Sequence, residues 1–329
     1  MLNRLFKNDW YLQFMLIIPL WIYIGFLLFY FDFASIPTYE MSHIFNFISK
    51  LLEGHLILGK TIILLQILFQ SFYISIILQN NEIVEKKSFL PSMIYAILIL
   101  SFPQHLTFSP IHFSNTFLIL FLSKTLITYE EVSASKSLFT CALYAALSIL
   151  FFAPNIVFIF PLVASIIIFS NINLKSIIAT IMGFLFLYLY IFTYYYLNDS
   201  ISNIFDFYQN SISNNIYFIL PKDLMFRIFY FSAASVGGYA ALKLILSSSE
   251  KLIRIRKKHF YIIQFAMISF LGVLLTNFSM TNQIGILFLG LTYILSTLIN
   301  SNKRSVFIEI SIWATIVFTF TFHFIQLFS

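Results

Sequence analysis

The groups in this 329-residue chain that could do chemistry stand at the ends of apolar runs. Asp32, in Tyr30-Phe31-Asp32-Phe33, follows the first run, and Glu40 comes soon after it. A carboxylate at the end of an apolar helix is costly unless it faces water, a partner or a substrate. Burial there raises its pKa, which suits a general base. The opposing structural role is an interfacial marker that caps the next turn. His105 and His112 share the segment 101–115, with Pro110 between them. Histidine can bind a metal, shuttle a proton or hold a phosphate. The spacing His-x6-His across a proline is not a helical pair and matches no standard metal motif, so no metal is assigned. Plain hydrogen bonding is the alternative role for both. Lys222, Asp223 and Arg227 open another apolar run. Either cation could make charge-assisted bonds to a phosphate. The alternative is an Asp223–Arg227 pair at helical spacing, which contributes only a few tenths of a kcal/mol. Lys50 and Lys60 are weaker candidates, and Lys50 also has Glu53 to pair with.

The elements that position these groups are membrane helices. The chain is 60% hydrophobic and 10% charged, with a mean hydropathy of +0.91. A soluble domain carries about 25% charged residues. A span needs about 20 mostly apolar residues. About 11 spans are predicted, roughly 11–31, 57–79, 89–106, 114–128, 137–153, 155–170, 175–197, 224–247, 260–277, 283–300 and 306–327. The first follows Arg4 and Lys7 as a signal peptide would, but it is a full span with no small-residue cleavage site, so it is expected to stay. Pro154 breaks the chain between the fifth and sixth runs, as a hairpin or a kink. Gly is scarce (9) and Phe abundant (42), so helices are expected to meet through Phe, Leu and Ile rather than through Gly-xxx-Gly contacts.

Of the 19 Lys and Arg, 15 fall in alternate loops, and only Lys50, Lys60, Lys222 and Arg227 fall in the others. Positive charge stays on the cytoplasmic side, so the N-terminus is expected inside and the C-terminus outside. The net charge of +6 then reflects topology and anionic lipid contact, not nucleic-acid binding. The basic run 251–259 reads in the same way. The inner loops are brief, and no Gly-rich phosphate loop is present, which argues against ATP-driven chemistry. The single cysteine, Cys141, can form neither an internal disulfide nor a multi-cysteine metal site. Gln66, Gln70, Gln264 and Gln283 are candidates for bonds across helices, and Glu309 is an intramembrane acid without an evident partner.

Two outer segments have the pattern of helices lying on the membrane. In 41–55, Met41, Ile44, Phe45, Ile48, Leu51 and Leu52 make an apolar face. In 201–217, Ile201, Ile204, Phe205, Tyr208, Ile212 and Ile216 do the same. Such amphipathic helices sit at the headgroup boundary.

This layout resembles the GT-C superfamily, membrane glycosyltransferases that use polyprenyl-phosphate sugars. The two amphipathic segments stand in the family's places, after the first and the seventh spans, and residues 109–169 resemble its short middle spans, with Pro154 and Pro161 before aliphatic runs. The resemblance covers about residues 1–250 as a GT-C-like module, with 251–329 closing the bundle. The chain also resembles a group of bacterial inner-membrane proteins, some labelled carotene-cleaving oxygenases. Its six scattered histidines do not form the iron-binding set that such an enzyme needs. The GT-C resemblance implies an acid after the first span that acts as base or positions acceptor and metal. Asp32 matches that position. The family often has two adjacent acids; here Glu40 is the second and is not adjacent, which leaves catalysis and a divalent metal open.

The expected fold is therefore all-α, a polytopic bundle in the bacterial inner membrane. The expected function is an outer-face glycosyl or glycolipid transferase. Asp32 and Glu40 are the catalytic candidates, Lys222, Arg227, His105 and His112 the substrate-binding ones, and no cofactor is assigned. The alternative is a non-catalytic subunit of an envelope assembly or secretion machine that binds lipids or membrane-protein partners. A transporter fits less well, because no inverted repeat and no Gly-interrupted spans are present.

Overall fold

The computed structural model describes residues 10–30, 43–52, 55–84, 88–102, 106–129, 134–169, 173–199, 224–248, 251–274 and 280–301. Among these residues every regular element is helical. In chain order they are α1 (Trp10–Tyr30), α2 (His43–Leu51), α3 (Leu56–Asn80), α4 (Leu90–Leu100), α5 (Pro110–Thr128) and α6 (Ala134–Phe151). A 3-10 segment (Ala153–Phe158) leads into α7 (Ile159–Phe169), and α8 (Leu174–Leu197), α9 (Leu224–Ser247), α10 (Ile253–Leu274) and α11 (Met280–Ser301) follow. The expected segment 201–217 and the last expected span, 306–327, lie outside the described residues, as does Glu309.

Among the described residues five stretches are long and apolar enough to cross a membrane: Leu56–Asn80, Pro110–Thr128, Ala134–Phe151, Leu174–Leu197 and Arg227–Ser247. α8 shows what kind of surface they make. It buries Ser176, Thr180 and Gly183 and exposes Ile178, Met182, Leu185, Leu189 and Phe192. A helix in water does the reverse, because burying apolar area drives folding there. Lipid removes that preference and leaves close packing to choose the buried stripe. Tyr190, Tyr194 and Tyr196 crowd the end of α8, as tyrosines do at a membrane interface. These features point to a membrane protein.

Three expected spans differ in extent. The run 89–106 is helical only over Leu90–Leu100, and all 11 of those residues are buried. At 1.5 Å per residue such a helix is far shorter than a bilayer core of about 30 Å. The residue before a proline disfavours helix, and Pro103 follows Phe102. After Pro154 the run 155–170 is likewise split, so that α7 has 11 residues. In contrast α10 starts at Ile253, well before the expected 260. Lys and Arg are good helix formers, so the basic run becomes the first turns of a helix rather than a loop.

α4 and the stretch 285–299 of α11 are buried on every side, as a helix that is apolar all round should be. One continuous core joins Ile17 of α1 to Ile299 of α11, so it crosses residue 250 without a break.

Small residues are used more than the composition implied. A Cβ added at Gly183 of α8 would lie 2.3 Å from the backbone oxygen of Phe139 in α6. One at Gly290 of α11 would lie 3.0 Å from the Cα of Ala266 in α10. The core is otherwise built mainly from Ile, Leu, Phe and Tyr, as expected, and these glycine contacts add to it.

The helix ends gather into two groups. At one end, Arg254 of α10 pairs with Glu82 after α3, and Lys258 Nζ donates to Asn81 Oδ1 at 2.8 Å. Lys257 Nζ stands 5.1 Å from the centre of the Tyr129 ring, which meets Phe169 at 6.3 Å. At the other end, Phe45 of α2 packs on Phe108 at 5.0 Å and Phe113 at 5.9 Å, and Phe113 stacks on Phe151 at 5.4 Å. There too Phe102 meets Phe229 of α9 edge-on at 4.7 Å.

Candidate functional sites at the two ends of the bundle

α2 is short and strongly amphipathic. It buries Phe45 and leaves Lys50 in the open, with Phe47 and Leu51 also exposed. Phe45 anchors it over the start of α5. Pro110 occupies the first turn there, a place where a missing N–H costs nothing. The helix therefore begins before His112, which is not in a loop as expected but in the first turn of α5. Its imidazole is wholly buried. A substrate would have to enter the packing to reach it.

Below this end runs a polar seam. Gln70 Nε2 donates to the His112 backbone oxygen at 2.6 Å and to Thr116 Oγ1 at 2.8 Å, and the Tyr95 hydroxyl donates to Gln70 Oε1. One side chain thus ties α3 to α4 and α5, the cross-helix role expected of Gln70. Ser71 and Ser92 share a hydrogen bond at 2.6 Å, and Ser75 Oγ accepts from the Ser92 backbone N–H at 2.9 Å. Asn155, in the 3-10 segment just after Pro154, donates to Ser114 Oγ and to Ser148 Oγ, the latter at 2.8 Å. Asn115 Nδ2 reaches the Gly285 carbonyl at 3.0 Å. Sequence reading missed the Asn155–Ser114–Ser148 cluster. Its signal was a polar residue just after a proline inside an apolar region. Among the described residues no cluster of His, Cys, Asp and Glu could hold a metal ion.

Arg227 lies in the first turn of α9, partly exposed and two residues before Phe229, and so at the α2 end. His112 and Arg227 share that end. Asp32, Glu40, His105 and Lys222, the remaining predicted site residues, lie outside the described residues.

Among the described residues the opposite end carries the denser charge. Five basic side chains, Arg254, Arg256, Lys257, Lys258 and His259, occupy the first two turns of α10. A helix N-terminus is itself partly positive, so cations there repel it and one another. Glu82 offsets part of this. It follows the C-terminus of α3 in a left-handed conformation, φ 59°, where glycine is usual. The Ile83 N–H closes that turn on the Leu78 oxygen at 2.9 Å. Lys258 is fully buried, with Asn81 as a hydrogen-bond acceptor, and Asn81 in turn donates to the Ile77 oxygen at 2.9 Å. Burial, and then the charge of Lys251, push the His259 imidazole down to about 4. Burial also lowers the Lys251 ammonium.

No protein-family model, no curated protein and no solved structure matches the chain.

Proposed function

We propose that this chain is a multi-spanning protein of the bacterial inner membrane that transfers a sugar or glycolipid at the outer face, from a polyprenyl-phosphate-linked donor. The proposed topology has about 11 spans, the N-terminus inside and the C-terminus outside. The observation that carries the reading is the docked helix α2 at the end opposite the basic cluster. An amphipathic helix seated over helix ends makes a shelf at the headgroup level, where a lipid-linked substrate arrives from the side. Arg227 belongs to the same end, where it would hold the donor phosphate together with Lys222. Asp32, with Glu40 nearby in sequence, would activate or orient the acceptor.

A second reading, a non-catalytic subunit of an envelope machine, is favoured by one specific observation. The space beneath α2 is filled by Phe45, Phe108, Phe113 and Phe151, and His112 is sealed below them. Such a scaffold would bind a partner or a lipid without turning it over.

Mass spectrometry of envelope glycans and glycolipids separates the two. The strains to compare are wild type, a deletion, and Asp32→Asn at normal protein level. Loss of one glycan in both mutants is the expected result. Unchanged glycans in both would remove the enzyme reading. A defect in the deletion alone would leave the subunit.

A further inference from the structure

At the basic end a cavity of about 280 Å³ opens between α7, α9 and α10. Leu244, Ile245 and Phe260 form its apolar wall, and Arg256, Lys257 and His259 its polar side. Ile245 and Phe260 are each about half exposed, so the wall continues onto the outer surface of the bundle.

His259 is the informative member. It is 2% exposed, and neither ring nitrogen has a hydrogen-bond partner. An imidazole always carries at least one N–H, and buried donors are nearly always paired. Both nitrogens are covered by packing, but His259 lines the cavity, so an imidazole turned toward it would offer this unpartnered donor to an acceptor held there. Its neighbours set the charge of that acceptor. Arg256 is exposed and meets no acid among the described residues. Lys257 is held against Tyr129 beside the cavity. The one acidic side chain paired nearby, Glu82, is taken by Arg254. Among the described residues the position thus has excess positive charge, an unpartnered donor and a greasy wall.

We propose that this cavity binds the phosphate headgroup of an anionic phospholipid. His259 donates a ring N–H to a phosphate oxygen. Arg256 and Lys257 supply the counter-charge, and the acyl chains lie along Ile245 and Phe260. A cavity near 300 Å³ sits at the small end of ligand pockets. It suits a headgroup whose tails remain in the bilayer. The apolar wall selects a lipid over free phosphate, since a soluble anion gains nothing from it. This site is independent of the transferase reading, which concerns the other end of the bundle.

The test uses the full chain purified in neutral detergent. Thermal unfolding and native mass spectrometry are followed while phosphatidylglycerol, phosphatidylcholine or inorganic phosphate is titrated in. Phosphatidylglycerol is expected to stabilise the protein and to remain bound, one per chain, where phosphatidylcholine does not. Arg256→Gln is expected to weaken that binding about fivefold, the usual effect of one basic residue on anionic lipid. Arg256 is exposed, so this variant tests charge without disturbing the core. His259→Leu, which keeps the bulk and removes the donors, is expected to weaken it as well. Ile245→Trp is expected to block binding with every charge retained, and Lys243→Gln, outside the cavity, to leave it unchanged. Equal binding of both lipids, or undiminished binding by the Arg256 and Ile245 variants, would overturn the proposal. So would an equal response to inorganic phosphate, which would make the site one for a free anion.

Discussion

Lys258 places an ammonium group in a fully buried position, against the neutral amide of Asn81. Removing Asn81 takes away one acceptor of a buried cation, whereas replacing the charge by an apolar group of similar size is often neutral or stabilising. Asn81→Ala is therefore expected to lower unfolding stability by about 1–3 kcal/mol. Lys258→Met should cost less, and thermal melting in detergent would order the two. The reverse order would mean that the charge of Lys258 serves a purpose other than packing. His259 gives a pH dependence with a definite sign. Its imidazole is held neutral in the fold, so above its ordinary value of 6.5 it exacts no penalty. Below that value the unfolded chain takes up the proton first, and stability is lost as the pH falls from 6.5 toward about 4. The positive charge of Lys251 opposes the new charge on the ring. In lipid-free protein, His259→Leu is expected to flatten the acid loss of melting temperature. A curve that keeps its slope would place the acid-sensitive group elsewhere. The basic run was visible in the sequence as a topology signal. The partners of Lys258 and the isolation of His259 were not, because they depend on Asn81, more than 170 positions away, and on the register of a helix that begins earlier than its hydropathy suggests.

At the scale of elements, the contact of α6 with α8 depends on a backbone-to-backbone approach. Gly183→Ala would put a methyl 2.3 Å from the Phe139 oxygen, and no rotamer can move a backbone atom aside. The helices must separate, and a cost of about 1–3 kcal/mol is expected for such overpacking. Reduced melting temperature would register it, and a neutral outcome would mean that α8 is free to shift. Phe45→Ala should release α2 from Phe108 and Phe113. The expected result is faster proteolysis within α2 with little change in the rest of the bundle. General destabilisation instead would make α2 a part of the core. The amphipathic pattern of α2 and the long runs of α3, α8 and α9 were legible, because periodicity and length act locally. The short buried α4 was misread as a full span. Apolar content alone does not distinguish a helix that faces lipid from one wrapped by other helices. The glycine contacts were illegible for a similar reason, since scarcity says nothing about placement.

For the whole molecule, the described helices share a single core and present two chemically different ends. Arg254–Glu82, Lys258–Asn81 and Lys257–Tyr129 mark one, and α2 with Phe108, Phe113 and Phe151 the other. The contacts tie together, at one end, the turns that the charge bias had assigned to a common side. That grouping was readable from loop charge because insertion acts on the chain as a sequence of segments. The central position of α11 was not, because which helix is surrounded is decided by packing after insertion. The transferase reading requires the α2 end to face outward. The most direct test is labelling with a membrane-impermeant thiol reagent in intact cells, with Cys141 buried as a silent background. Two reporters are compared, Asp199→Cys after α8 and Lys136→Cys at the start of α6, both at exposed positions. We expect the reagent to reach position 199 in intact cells and position 136 only after the membrane is opened. The opposite pattern would turn the bundle over and place the proposed acceptor and donor sites on the wrong side of the membrane.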